Sequence, residues 1–201
     1  MDWKKQNIKV YDESAEEIAA YFQGIGSRVE DIERGLALTG KADAIKVIEV
    51  GCGDGRDAKE IIKRASQYIG IDPSEGLLRI AKDNNPTGTF ILADALSYSY
   101  PAQQDIIFAF ASLLHVNRND LSLVFKKVKD SLRTGGIFYI SLKERPEYIE
   151  EIKEDKYGQR MFYYYNPSII AEISDGSLES LYEHRHTIGN TDWFTIALKK
   201  I

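Results

Sequence analysis

The residue types best suited to chemistry concentrate in "IKVIEVGCGDGRDAKEI", from Ile45 to Ile61. An apolar run reaches Glu49, glycines alternate at Gly51, Gly53 and Gly55, and a charged helical pattern follows. Glycines between a strand and a helix let the backbone approach a ligand closely. A P-loop requires G-x-x-x-x-G-K-[ST], and no Lys-Ser or Lys-Thr follows these glycines. A dinucleotide loop requires G-x-G-x-x-G, but Arg56 holds the third glycine position and Gly55 comes one residue early. Asp54 and Asp57 also put negative charge where a pyrophosphate would meet the helix N-terminus. What remains is an acid followed by G-x-G-x-G.

Other candidates come later in the chain. Asp72 ends the strand-like "QYIGID" just before Pro73, where it could contact a ligand or simply cap the next helix. Asp94 ends "GTFILAD" and is followed by Ala95. His115 lies just past an apolar strand, placed either to act as a general base or to bond to backbone. Cys52, between two glycines, reads as a small apolar filler rather than a nucleophile. His184 and His186 alternate along a strand and share a face, but no third ligand accompanies them, so no metal site is expected.

These residues need elements to hold them. The segment to about Gly40 reads as helices: Ser14 and Glu17 have capping-box spacing, and Ile18, Tyr21 and Phe22 form an apolar stripe. Gly40 is a candidate residue just past a helix C-terminus. From Ile45 onward, strands "AIKVIEV", "QYIGID", "GTFILAD", "QDIIFAFAS" and "GIFYISL" alternate with amphipathic helices. One of these carries Leu121, Val124, Phe125 and Val128 on one face. The alternation predicts βαβ units and a parallel sheet covered on both faces. Past Lys143 a charged segment leads to the aromatic run "MFYYY", readable as a lid or as core, then a short helix and two strand-like runs joined by "IGNT". The two runs predict an antiparallel pair closing a sheet edge.

The ordered set resembles the class I S-adenosylmethionine-dependent methyltransferases, in particular a bacterial subgroup acting on small molecules. The resemblance implies a Rossmann-like three-layer α/β/α sandwich with a seven-stranded, mostly parallel sheet and an antiparallel strand near the C-terminal edge. It implies S-adenosyl-L-methionine as cofactor, contacted by Tyr11, Glu49, Gly51, Cys52, Gly53, Gly55, Asp72, Pro73, Asp94, Ala95, Phe110 and Ala111. His115 would lie near the methyl group, as base or substrate contact, and Arg160, Tyr164, Tyr165 and Trp193 would face the substrate. The implied organisation is one domain over 1–201: a helical cap (1–40), a cofactor-binding core (41–143), and a substrate-side insertion with the C-terminal strand pair (144–201). The [DN]-P-P-[YF] signature of methyltransferases acting on DNA bases or glutamine amides is replaced by "AFAS".

Composition limits the partners. The 201 residues are 43% hydrophobic and 28% charged, as in soluble globular proteins, and suffice for one ordinary core. No apolar run approaches the roughly 20 residues of a membrane span, and the single cysteine excludes an internal disulfide, so a cytoplasmic location is expected. The net charge of −5, with no block of like charge, argues against nucleic acid and for a small-molecule substrate. A monomer or homodimer is expected. The competing readings are a non-catalytic S-adenosylmethionine-binding regulatory module and a nicotinamide-dependent reductase, the latter disfavoured by Arg56.

Overall fold

The computed structural model describes residues 2–201. Three helices come first: α1 (Trp3–Glu13), α2 (Ala15–Ile25) and α3 (Val29–Leu38). Then follow β1 (Lys46–Val50), α4 (Ala58–Ile62), β2 (Gln67–Asp72), α5 (Glu75–Asn84), β3 (Thr89–Leu92) and β4 (Gln104–Phe110). A short 3-10 turn (Leu113–His115) precedes α6 (Arg118–Ser131) and β5 (Leu132–Lys143). The chain ends with β6 (Ile149–Asp155), β7 (Gly158–Tyr164), α7 (Pro167–Ser174), β8 (Leu178–Ile188) and β9 (Thr191–Lys200).

Seven strands form one sheet in the order β3-β2-β1-β4-β5-β9-β8. The first five run parallel; β9 is antiparallel to β5, and β8 is antiparallel to β9. The expected Rossmann-like sheet, with an antiparallel strand near its C-terminal edge, is therefore present. β4 is buried along its whole length, as a central strand covered on both faces must be. One core packs α6 and α7 against the sheet through Leu121, Val124, Phe125, Val128 and Ile170. The other packs α3, α4 and α5 through Ile32, Leu36, Ile61 and Leu78. Strand order reverses between β1 and β4, so a crevice opens at their carboxyl ends, where open α/β sheets bind ligands.

Three sequence expectations change. Ser14 joins α1 to α2 but makes no side-chain cap bond, because both helices run through it almost continuously. Its amide is bonded to the Val10 carbonyl, leaving no open helix end to cap. Tyr21 does not join the inward stripe; it is 61% exposed, while Ile18 is buried. Gly40 follows the α3 terminus with φ 69°, the left-handed value expected of a residue just past a helix end.

The third change concerns 144–165, which folds as an antiparallel hairpin pairing Ile149 with Tyr164 and Asp155 with Gly158. The "MFYYY" run is interior: Tyr164 and Tyr165 are fully buried and the Tyr165 hydroxyl donates to the Val116 carbonyl at 2.6 Å. α1 fastens this hairpin to the domain. Buried Asn7 receives the Met161 amide on Oδ1 (2.9 Å) and donates Nδ2 to the Met161 carbonyl (3.0 Å).

Candidate active site

The glycine loop follows β1. Its amides turn inward to protein acceptors: Gly51 and Cys52 donate to the Ile71 carbonyl (2.7 and 3.0 Å), Gly53 to Asp72 Oδ2 (2.9 Å), and Gly55 to the Cys52 carbonyl (3.0 Å). A phosphate cradle works by aiming such amides at the ligand. Here they are engaged. The glycines themselves serve two purposes. Gly51 has φ 72°, and a Cβ on it would lie 2.1 Å from Ser112 Cβ, so it permits the close pass of β1's loop against the end of β4. A Cβ on Gly55 would lie 2.6 Å from Asn85 Nδ2 and 3.1 Å from Ala81, so this glycine seats the loop on α5.

Two neighbouring cavities lie along the carboxyl ends of β1, β2 and β4. The larger, about 460 Å³, is lined by Tyr11, Gly51, Asp72, Pro73, Asp94, Ala95 and His115, among others. The smaller, about 150 Å³, is lined by Glu49, Cys52, Gly53, Phe110 and Ala111 and shares Tyr11, Gly51, Asp72 and Pro73 with the first. Of the residues expected at the cofactor, only Gly55 lines neither.

Asp72 stands between the cavities. Oδ1 accepts the Ser74 amide at 2.9 Å and Oδ2 the Gly53 amide, and each oxygen keeps a further lone pair. Burial raises its carboxyl to about 6 despite these two bonds. Such a group attracts hydroxyl donors. Glu49 lies beneath the loop and accepts the Tyr68 hydroxyl at 2.5 Å. Burial, with Asp57 nearby, raises Glu49 to about 8, so it is largely protonated at neutral pH. The Cys52 thiol is also pushed up by burial and stays protonated, consistent with a filler.

Asp94 has more partners than the sequence suggests. Oδ1 accepts the Leu96 and Ser97 amides (2.9 and 3.1 Å) and pairs with Lys4 (3.0 Å), while Oδ2 accepts the Ser97 hydroxyl at 2.5 Å. Burial pushes its pKa upward, but these donors outweigh it and hold the carboxyl at about 2. The partner on α1 carries no motif; only the regular helical spacing of Trp3, Lys4, Asn7, Ile8 and Tyr11 could have marked that face as one wall of the cavity.

His115 has both ring nitrogens bonded. Nδ1 lies 2.7 Å from the Met161 carbonyl, which can only accept, so Nδ1 carries the proton. Nε2 therefore accepts the Tyr11 hydroxyl at 2.9 Å, and Arg160 donates to that hydroxyl at 3.0 Å. Burial, opposed by the Met161 bond, lowers the imidazole to about 3. As it stands, Nε2 cannot receive a substrate proton without first releasing Tyr11. The expected base is thus built into a relay: Arg160 to Tyr11 to His115 to the Met161 carbonyl. Arg160 lies behind Tyr11, and neither it nor Tyr164, Tyr165 or Trp193 lines either cavity.

The sequence profile of the methyltransferase domain family matches residues 47–136. Just under half of the chain is thus similar to a methyltransferase domain. Among curated relatives, the trans-aconitate 2-methyltransferase of Afipia carboxidovorans is 32% identical over 111 residues, 54% of this chain and 43% of that protein. A ubiquinone biosynthesis O-methyltransferase of Leptothrix cholodnii is 29% identical over 113 residues, 53% of this chain and 47% of that protein. The matches thus span less than half the length of these relatives. In fold, the chain superposes on the DhpI complex with S-adenosylhomocysteine at TM-score 0.73 and 15% identity, covering 98% of this chain and 97% of that one. The family's cofactor is S-adenosylmethionine. It carries ribose hydroxyls and no phosphate, which fits a loop whose amides are engaged and a buried carboxylate that still has lone pairs to offer.

Proposed function

We propose that the chain transfers a methyl group from S-adenosylmethionine to an oxygen, nitrogen or sulfur of a small molecule. One observation carries this reading: Asp72 faces both cavities while the glycine-loop amides are tied to Ile71, Asp72 and Cys52. Asp72 would hold the ribose hydroxyls, Ala95 and the Asp94 segment would flank the base, and Phe110 and Ala111 would flank the methionine end. When bound, the cofactor supplies an electrophilic methyl, so the protein chiefly aligns reactants and excludes water. Tyr11, held from both sides by Arg160 and His115, closes the site over the shared wall of the two cavities. His115 acts here as the residue that orients Tyr11. An acceptor that arrives deprotonated needs no base.

The small-molecule class rests on the acidic surface, on "AFAS" in place of a base-orienting signature, and on relatives named for trans-aconitate and ubiquinone biosynthesis. The test is thermal stabilisation of the whole chain by S-adenosylmethionine, S-adenosylhomocysteine and NAD(P). Stabilisation by the first two supports the reading, and stabilisation by NAD(P) alone overturns it. Methyl transfer is then read by mass spectrometry on a panel of small-molecule acceptors.

A further inference from the structure

The larger cavity extends past the cofactor residues into a corner made by β7 and the start of α6. Asn117, Asp120 and Tyr163 line it there, and Trp3 of α1 lines the same cavity. None of these four lines the smaller cavity, and none has a part in the proposed placement of ribose, base or methionine end. Two bonds fix β7 against this corner. The Met161 carbonyl meets His115 Nδ1 at 2.7 Å, and the Tyr165 hydroxyl meets the Val116 carbonyl at 2.6 Å. Tyr163 lies midway between them along the chain, roughly 7 Å from each in extended backbone. Its side chain shares a face with that of Tyr165 and so turns toward the same segment before α6.

Charge in this cavity is one-sided. Asp2, Asp72, Asp94 and Asp120 line it against a single ammonium, Lys4. Three of the carboxylates have a role already: Asp2 pairs with Lys5, Asp94 pairs with Lys4, and Asp72 faces the ribose position. Asp120 is left over. Its Oδ2 accepts Asn117 Nδ2 at 2.9 Å, while Oδ1 has no partner among the described residues. Arg118, the nearest cation in sequence, pairs instead with Glu172 at 2.6 Å.

An independent feature points into the same corner. Tyr163 is the one member of the "MFYYY" run that lines either cavity, and it is only 9% exposed. Its hydroxyl nevertheless has no hydrogen-bond partner among the described residues, whereas that of Tyr165 is paired. The ring is held in place by Tyr148, which lies parallel to it with centroids 6.4 Å apart. Burial, and then the charges of Glu150 and Asp120, push the Tyr163 hydroxyl up, so it keeps its proton within the field of Asp120. A buried hydroxyl without a partner is unfavourable, and a ligand in the cavity would supply what it lacks.

We propose that Asp120 and Tyr163 bind the protonated amino group of the methyl acceptor, so that the substrate is a small organic amine. This rests on the methyltransferase reading of the site. An ammonium carries three donors and no acceptor. Asp120 Oδ1 and the Tyr163 oxygen are free to accept from it, and the rings of Tyr163 and Trp3 add faces that attract a cation. A carboxylate or phosphate would instead meet the surplus of acids. Held by its ammonium, the acceptor extends toward the wall of Tyr11 and Asp72 that the two cavities share, and presents its nucleophilic atom there.

The experiment is calorimetric titration of the whole chain, first with S-adenosylhomocysteine and then, at its saturation, with ethanolamine and putrescine. Ethylene glycol and 1,4-butanediol serve as neutral counterparts, and succinate as the anionic one. The readout is the ratio of amine affinity to neutral affinity, which separates recognition of charge from general damage to the cavity. The wild type should favour at least one amine over its counterpart about 10-fold or more, and should bind succinate no better than 1,4-butanediol. Asp120→Asn removes the charge and keeps the shape, and should bring the ratio close to one. Tyr163→Phe keeps the ring, removes one acceptor, and should lower the ratio about 3-fold or more. Amines that bind no better than their neutral counterparts, a preference for succinate, or a ratio unchanged in either variant overturns the proposal while leaving cofactor binding by the wild type intact. Absence of S-adenosylhomocysteine binding by the wild type overturns the methyltransferase reading and this proposal with it.

Discussion

The Tyr11 hydroxyl donates to His115 Nε2 at 2.9 Å, joining the first helix to the turn that follows β4. This bond completes the pairing of a buried imidazole whose tautomer the Met161 carbonyl sets, and it closes one wall shared by both cavities. In Tyr11→Phe the ring remains, but Nε2 loses its donor and Arg160 loses an acceptor. A buried acceptor left unpaired costs about 1–3 kcal/mol, so a loss of that size is expected in urea denaturation. An unchanged midpoint would show that the bond does not hold the wall.

His115 also sets an acid limit on stability. Its imidazole falls from the ordinary 6.5 to about 3 in the folded protein, so the fold keeps it neutral while the unfolded chain protonates. The contribution is complete above about 6.5 and is lost as pH falls through that value toward 3. His115→Gln, which does not titrate, should lose less stability than the wild type between pH 6.5 and 4. Equal slopes in the two proteins would contradict the assignment.

Glu49 works in the opposite direction. Its carboxyl rises from 4.5 to about 8 on folding, so the stability linked to its proton is complete below 4.5 and is lost as pH rises toward 8. Glu49→Gln keeps a neutral group beside Tyr68. The variant should gain on the wild type across that interval, by thermal melts at a series of pH values, and parallel curves would refute the idea.

Gly51 tests the loop geometry. Gly51→Ala combines a left-handed φ of 72° with a Cβ 2.1 Å from Ser112 Cβ. The backbone part alone costs about 1–2 kcal/mol, and the collision adds to it. Adding Ser112→Gly should recover the collision part but not the backbone part, as read by melting temperature. Full recovery, or none, would contradict this division.

These relationships divide into those the sequence displays and those it hides. The parallel core was legible because each strand is a short apolar run bounded by turn residues, and the strand-end acids Asp72 and Asp94 fall where such runs stop. The hairpin of β6 and β7 was not, because "YIEEIKED" is charged on its solvent side and every residue of "MFYY" is buried, so neither strand shows clean alternation. β5 begins at Leu132 rather than Gly136, since Gly135 and Gly136 continue the strand instead of ending it. Among the site residues, Glu49, Gly51, Asp72 and Phe110 could be read from their places at strand ends. The bonds that occupy His115 and Asp94 could not, because Tyr11, Lys4 and Met161 are distant in sequence and reach them only through the docking of α1 and β7.

The central claim is that Asp72 receives the ribose of a phosphate-free adenosyl ligand. Titration of S-adenosylhomocysteine into the wild type and Asp72→Ala tests it most directly. Two hydrogen bonds to a charged group, each worth about 1.5–3 kcal/mol, predict a loss on the order of 10²-fold or more in Asp72→Ala. A second variant, Ser74→Ala, removes a helix cap near the same carboxylate without removing the carboxylate itself, and should bind nearly as the wild type does. An Asp72→Ala affinity within about threefold of wild type, less than the ~1.5 kcal/mol at the low end for even one such bond, would contradict the account.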